Sequence, residues 1–259
     1  MNSSPTFTKD GIAYYDTLPS PPEQRGNTTV VPVWMIPPKM KKKSWGWNPT
    51  WQGIENPKYG AFNHYAQVVT DEDGELVKVE FDLVRWHDGA IDPRTGLPTP
   101  GSVTAGIEMV NGVYYVHCFW QWRPAPYDNE TYPVPEDFQE PFEIEQYIAS
   151  CTGEWMLTVP GGFAELAGEP PEAIAKREAL EEASIRLYDV KMTKKSFNRA
   201  NVTALVNVGF ASFERIESET PLETHEKFFG QLAVRIDTFR TMDAMVSEAV
   251  SFAREELGL

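Results

Sequence analysis

The sequence predicts an α+β fold, with strands along most of the chain and helices confined to its second half. Two features point this way: a β-hairpin signal at Asn111-Gly112, and two segments at 171–183 and 242–256 whose apolar residues recur at helical spacing. At 259 residues and 41% hydrophobic content, the chain is long enough to bury a sizeable core.

The first 101 residues are predicted to form an N-terminal extension that is partly β-structured. Residues 1–30 are rich in Pro, Ser, Thr and Gly, which indicates an extended or poorly ordered arm. A short strand is expected at 30–36, followed by a hairpin of strands 65–70 and 77–84 around the turn at 71–74. The Gly-, Pro- and Asp-dense stretch 88–101 marks a boundary, so a second domain is predicted at 102–259.

The second domain shows clearer element signals. Strands are expected at 102–109 and 113–122, and a third at 155–159 ends at Pro160-Gly161-Gly162. A helix at 171–183 begins with proline, whose missing N–H costs nothing at that position. Strands at 202–213 and 232–236 and a closing helix at 242–256 complete the pattern.

The charge balance narrows the range of partners. The formal net charge is −15, so the chain is expected to repel nucleic acid and anionic membranes. A lysine cluster at positions 39 and 41–43 beside Trp45 and Trp47 fits a solvated loop, with a phosphate or nucleic-acid contact as the alternative.

The expected location is the cytoplasm. No stretch approaches the roughly 20 apolar residues that span a bilayer, and the first residues lack the pattern of a signal peptide. The two cysteines, Cys118 and Cys151, lack metal-site spacing and are typical of a reducing compartment.

One segment carries chemistry. The Gly161-Gly162 pair is followed by Glu169 and then by Arg177-Glu178 and Glu181-Glu182 on the predicted helix. At about 100° per residue the three helical glutamates share one face, and Ala173, Ala179, Leu180 and Ala183 are predicted to form the opposite, docking face. Crowded carboxylates repel each other, and a divalent cation such as Mg²⁺ relieves that repulsion.

This segment resembles the Nudix box, G-x5-E-x7-R-E-U-x-E-E-x-G-U, where U is apolar. Glu169, Arg177, Glu178, Ala179, Glu181, Glu182 and Ile185 match it. Two positions depart from it: six residues separate Gly162 from Glu169, and Ser184 replaces the final glycine. The resemblance implies a Nudix α-β-α sandwich with a mixed sheet. It also implies Glu178 and Glu182 as main metal ligands, Glu181 as an assisting ligand, Gly161 as a carbonyl ligand, and Arg177 as the residue that orients the carboxylates.

A second resemblance concerns the strand that ends Trp120-Gln121-Trp122-Arg123-Pro124. It is similar to a strand of the ADP-ribose pyrophosphatase branch, which implies that Arg123 contacts substrate phosphate and that the N-terminal region builds a homodimer. Trp122 is a candidate for stacking on a base, with packing in the sheet as the alternative. Gly162 is a further candidate substrate contact.

The resemblance to the ADP-ribose branch also implies that the general base is a glutamate in a loop after the box, which here is the glutamate-rich loop after Phe213. Glu223 and Glu226 are the candidates because they precede the last predicted strand, and Glu181 of the box is the rival.

The function expected from these observations is Mg²⁺-dependent hydrolysis, with Mn²⁺ as a substitute, of the diphosphate of a nucleoside diphosphate derivative. ADP-ribose, split to AMP and ribose 5-phosphate, is the leading substrate. The alternatives are NADH, sugar nucleotides or nucleoside triphosphates as substrates, or a nucleotide-binding sensor or regulator without catalysis. In a third alternative the N-terminal region binds a partner and the Nudix domain senses a ligand.

Overall fold

The structure is a computed structural model of the whole chain. It describes residues 4–32, 36–40, 64–84, 91–92, 97–124, 144–150, 153–162, 164–166, 168–199, 202–216 and 228–259. Lysines 41–43, Trp45, Trp47 and Cys151 lie outside the described residues.

The described part of the chain contains fourteen strands, which are, in chain order, β1 (Phe7–Lys9), β2 (Ile12–Tyr15), β3 (Thr28–Pro32), β4 (His64–Thr70), β5 (Leu76–Val84), β6 (Ile91–Asp92), β7 (Leu97–Pro98), β8 (Gly101–Val110), β9 (Val113–Pro124), β10 (Gly153–Thr158), β11 (Gly161–Gly162), β12 (Ile185–Arg199), β13 (Val202–Arg215) and β14 (Phe228–Arg235). The helices are α1 (Ile144–Ser150), α2 (Pro171–Ala183) and α3 (Ala244–Leu257), with a 3₁₀ turn at Pro38–Met40.

These elements form two compact units, each built from separate stretches of the chain. Unit 1 contains residues 1–22, 87–121 and 156–259, and unit 2 contains residues 23–86 and 122–155. The division into 1–101 and 102–259 stays a prediction.

The main sheet has nine strands, and its path runs β1-β2-β14-β9-β8-β13-β12, with β10 paired to β9 and β11 paired to β8. The sheet is mixed, because β13 runs parallel to β8 and β14 runs parallel to β2, whereas β8 and β9 form an antiparallel hairpin. The predicted α+β fold with a mixed sheet is confirmed.

Helices α2 and α3 cover opposite faces of this sheet. Ala175, Ala179 and Ala183 of α2 share a buried cluster with Ala211 of β13. The neighbouring Phe210 meets Phe252 of α3 edge to face, with ring centroids 5.6 Å apart. Successive side chains of a strand point to opposite faces, so the arrangement is an α-β-α sandwich.

Unit 2 has a core of its own. Its three-stranded sheet has the order β3-β4-β5, and α1 packs against it. The shared cluster contains buried residues of the three strands and of α1, together with Ile36 from the segment after β3. Its members are Val31, Ile36, Ala66, Val68, Val79, Ile144, Tyr147 and Ile148.

The sequence missed several elements. Part of the predicted N-terminal arm forms β1 and β2, and β2 pairs with β14 of the main sheet. The 15-residue β12 is a polar edge strand rich in lysine, so its hydrophobic alternation is weak. Helix α1 has seven residues, too few for a clear helical period.

No helix among the described residues is long and apolar enough to span a membrane.

His117 is a fully buried ionisable residue in the main sheet. It lies on β9 with its ring centroid 5.0 Å from that of Phe213, and neither ring nitrogen has a hydrogen-bond partner among the described residues. Burial, with a smaller contribution from the charge of Arg215, lowers the pKa of His117 to about 3. The ring is therefore neutral in the folded protein at neutral pH.

We expect His117 to make the fold sensitive to acid. The unfolded state takes up a proton below the ordinary pKa of roughly 6.5, whereas the folded state resists it until about pH 3, so stability falls as pH decreases between these values. Between pH 7.5 and 4.5 this linkage costs roughly 2–3 kcal/mol. The free energy of unfolding is measured by urea denaturation at both pH values for the wild type and for His117→Leu. Its decrease from pH 7.5 to pH 4.5 should be smaller in His117→Leu than in the wild type by about this amount. Equal decreases would contradict the assignment.

Candidate active site

Helix α2 carries the acidic residues of the box and has defined ends. It begins after Pro170, which has an extended backbone conformation. Pro171 occupies the first helical position, where the missing N–H of proline costs nothing. It ends at Ser184, which adopts a left-handed conformation with φ of 50° and ψ of 41°. The Ser184 N–H donates to the Leu180 carbonyl at 3.2 Å, and the side-chain amide of Gln231 donates to the Ala183 carbonyl at 2.7 Å.

The face of α2 that packs on the sheet differs from the predicted one. Ile174, Ala175, Ala179 and Ala183 are buried, whereas Ala173 is exposed and the Leu180 side chain is 40% exposed. The buried stripe therefore lies beside the acidic stripe rather than opposite it, since Ala179 and Ala183 directly follow Glu178 and Glu182 and lie about 100° from them around the helix. As a result the Glu178 side chain retains only 12% of its exposure.

The Gly161-Gly162 turn packs directly against two of these carboxylates. The two glycines form β11, which pairs with Val103 and Ser102 of β8. The Gly161 N–H donates to Glu182 Oε2 at 2.9 Å. A Cβ at position 162 would lie 2.3 Å from Glu178 Oε1, so any other residue there would displace this carboxylate from its present position.

Arg177 is the hub of an ion-pair network. Its Nη1 donates to Glu178 Oε1 at 2.6 Å and to Glu181 Oε2 at 3.4 Å. The same nitrogen lies 3.5 Å from Glu165 Oε1, and Arg177 Nε lies 3.5 Å from Glu169 Oε1. Four carboxylates thus surround one guanidinium.

The charge of Arg177 is firmly held. Burial alone favours its neutral form, but the neighbouring charges of Glu178 and Glu165 outweigh burial and raise the pKa of Arg177. The network nevertheless keeps an excess of negative charge, because one cation faces four anions.

The carboxylates are occupied by protein donors as they stand. Among the described residues, no group of three or more His, Cys, Asp or Glu side chains is arranged to hold a metal ion. Glu178 is turned towards Arg177 and Glu182 towards the Gly161 N–H, so their oxygens do not converge. The donor set itself, glutamate oxygens only, is the type that Mg²⁺ prefers.

The structure brings together some of the predicted site residues. The turn residues Gly161 and Gly162 meet the acidic helix as described above. Glu223 and Glu226, the predicted bases, lie outside the described residues. Glu181, the rival base, contacts Arg177.

The two predicted residues on β9 belong to unit 2, whereas the box belongs to unit 1. Arg123 is exposed near the end of the strand. Trp122 is buried, its indole N–H donates to the Thr28 carbonyl at 3.0 Å, and it meets Trp155 edge to face. This packing corresponds to the alternative interpretation of Trp122, and the substrate roles of both residues stay predictions.

Two residues escaped the sequence reasoning. Glu165, in the loop between the glycine pair and Glu169, reaches Arg177. Thr99, which precedes β8 and is distant from the box in sequence, accepts a hydrogen bond from the Gly168 N–H at 3.1 Å. The negative charge of Glu165 in a loop next to the box was the one sequence feature that could have indicated its role. Nothing in the sequence indicated a role for Thr99.

Comparisons with known proteins gave matches among solved structures only. Neither protein-family models nor curated proteins gave a match. Among solved structures, the chain is similar to an ADP compounds hydrolase, at 15% identity and a TM-score of 0.39 over 80% of this chain and 91% of that one. It is also similar to a NUDIX hydrolase from Nitrosomonas europaea, at 14% identity and a TM-score of 0.40 over 61% and 90% of the two chains.

A third similar structure is the NUDIX domain of Shewanella oneidensis NrtR complexed with ADP ribose, at 16% identity and a TM-score of 0.38 over 64% and 93% of the two chains.

The left-handed conformation of Ser184 gives a stability prediction. A residue with a Cβ loses about 1–2 kcal/mol in this conformation, and glycine avoids that loss but has more entropy to lose on folding, by roughly 0.5–1 kcal/mol. We expect Ser184→Gly to raise the free energy of unfolding by about 0.5–1 kcal/mol, as measured by denaturant unfolding. Ser184→Ala, which keeps the Cβ, is the control, and equal effects of the two substitutions would refute this explanation.

Proposed function

We propose that this protein is a Mg²⁺-dependent pyrophosphohydrolase that splits the diphosphate of a nucleoside diphosphate derivative, with ADP-ribose as the leading substrate. The observation that carries the proposal is the close packing of the Gly161-Gly162 turn on the Glu178 and Glu182 carboxylates. A merely solvated acidic face needs no such turn, and glutamates repelled by their neighbours would point away into water.

The residues present fit a divalent cation. Glu178, Glu181 and Glu182 would hold it, with the Gly161 carbonyl as a further oxygen ligand. When bound, the cation would neutralise charge on the diphosphate and activate the attacking water. A Cβ at position 162 would lie 2.3 Å from Glu178 Oε1, so the Glu178 carboxylate lies directly beside the turn.

Each protein residue then has a role in the hydrolysis. The glutamates of α2 concentrate negative charge that attracts the cation, and the positive charge of the cation would offset their repulsion of the diphosphate. Arg177 holds Glu178 and Glu181 in fixed orientations through its hydrogen bonds. A carboxylate takes the proton from the attacking water while the water oxygen attacks phosphorus and the bond from phosphorus to the bridging oxygen breaks. The candidates for this carboxylate are Glu223, Glu226 and Glu181.

The choice of ADP-ribose rests on the strand that ends in Arg123. An arginine fork binds phosphate oxygens in pairs, which suits a diphosphate. The exposure of Arg123 at the end of β9 agrees with a role in ligand contact. We also propose that the protein is a cytoplasmic homodimer.

The central test is an assay of AMP formation from ADP-ribose, and of nucleoside monophosphate formation from other nucleotide diphosphates. EDTA should abolish turnover and Mg²⁺ or Mn²⁺ should restore it, and Glu182→Gln should lower kcat by ~10²-fold or more because charge stabilisation by a metal is worth several kcal/mol. Glu172→Gln, an exposed glutamate on the same helix, is the matched control and should retain wild-type turnover. Full activity in EDTA, or equal activity of both variants, would rule out the proposed metal site.

Substrate capture by Arg123 can be tested separately. Arg123→Ala should lower kcat/KM for ADP-ribose ~10- to 100-fold, since a charge-assisted contact is worth roughly 1.5–3 kcal/mol. Arg123→Lys should recover little of this, because an ammonium lacks the paired geometry.

The competing account for Arg123 is that it only holds a loop through acidic residues. That account predicts a lower melting temperature with nearly normal kinetics in both variants. Such a result would remove Arg123 from the substrate site, and with it the preference for ADP-ribose over other Nudix substrates.

A further inference from the structure

A threonine outside the box fixes the loop that carries Glu165 and Glu169. Thr99 is buried, and its Oγ1 accepts a hydrogen bond from the Gly168 N–H at 3.1 Å. Gly168 has a φ of +75°, a conformation that favours glycine. The backbone at the end of the loop is thus set by its own dihedral angles and by a hydrogen bond to a residue from a different segment.

This hydrogen bond to Thr99 also restricts the position of Glu169, the residue that follows Gly168. The Glu169 N–H donates to the Leu166 carbonyl at 3.1 Å, and Glu169 Oε2 accepts from the Glu165 N–H at 2.9 Å. These two bonds close the loop on itself and direct both carboxylates towards Arg177, at 3.5 Å each. The position of both anions therefore depends on the position of Gly168.

Glu165 and Glu169 compete with Glu178 for the same guanidinium. Arg177 holds Glu178 at 2.6 Å, and a cation that binds Glu178 has to displace this contact. Glu165, beside the same Nη1, and Glu169, beside Nε, lower the free-energy cost of that displacement, because the guanidinium keeps two partners when Glu178 is withdrawn.

We infer that Thr99 is a positioning residue for the proposed cation site, acting through Gly168, Glu169 and Arg177. The inference rests on the proposed function, since it presumes that Glu178 takes a cation. The loop is one residue longer than in the box pattern, and an anchor from outside the box restricts the additional freedom that the extra residue brings. Without the anchor, Glu165 and Glu169 hold Arg177 less well, Arg177 pairs more fully with Glu178, and the cation binds more weakly.

The test compares Thr99→Val, which loses the acceptor oxygen, with Thr99→Ser, which keeps it. Mn²⁺ is titrated into each full-length protein in the absence of substrate, and free Mn²⁺ is followed by electron paramagnetic resonance. We expect Thr99→Val to bind Mn²⁺ about 10-fold more weakly than the wild type, the loss of one hydrogen bond to a neutral group, and Thr99→Ser to bind within about twofold of it. In the hydrolysis assay the Mg²⁺ concentration for half-maximal activity should shift by the same factor for Thr99→Val.

Melting temperatures of the two variants separate positioning from folding. Wild-type Mn²⁺ affinity in Thr99→Val overturns the inference, whether or not its melting temperature falls. Equal weakening in both variants also overturns it, since the serine hydroxyl retains the bond. A wild-type chain that binds no Mn²⁺ overturns the proposed function as well, so failure of the function is distinguished from failure of the positioning role.

Discussion

The ion pairs of Arg177 are the interaction on which the rest of the site depends. One guanidinium, 21% exposed, lies between Glu178 and Glu181 of the helix and Glu165 and Glu169 of the loop. Without it, the loop and α2 would present like charges to each other in a region partly shielded from water, where repulsion is stronger than at the open surface. Arg177 thus permits the acidic helix, the glycine turn and the loop to pack together, and the remaining excess of negative charge gives the site its preference for a cation.

The backbone around this network is adapted to the same arrangement. Gly161 and Gly162 pair with β8 and let the turn touch Glu178 and Glu182, and the sheet beneath holds α2 through a stripe of small alanines that brings the helix close. Because the acidic stripe borders the buried stripe, Glu178 is held at the edge of the core. This placement costs solvation of the charged form, and the hydrogen bonds from Arg177 offset that cost.

The sequence predicted the parts of this structure that local patterns encode. Helix α2, the β8–β9 hairpin and the glycine turn follow from proline and glycine positions and from strong periodicity. The docking face of α2 was predicted correctly at Ala179 and Ala183 but wrongly at Leu180, which is 40% exposed. Ile174 and Ala175 complete the buried face instead. Strand β12 was not predicted because its lysine-rich sequence alternates only weakly. Strand β2 was not predicted because it joins the main sheet by pairing with β14, which is distant in sequence. The Thr99 contact joins segments 69 residues apart, which no local pattern reports.

The central claim is that the acidic face of α2 is a cation site rather than charged surface. The most direct test is whether Mg²⁺ raises the melting temperature of the protein. A ligand that binds the folded state at about 100 times its dissociation constant adds about 2.7 kcal/mol, which for a chain of this size raises the melting temperature by roughly 5–10 °C. We expect this rise for the wild type and none for the double variant Glu178→Gln/Glu182→Gln, each compared with its own melting temperature in metal-free buffer. Equal responses of the two proteins to Mg²⁺, or no response of the wild type, would contradict the account.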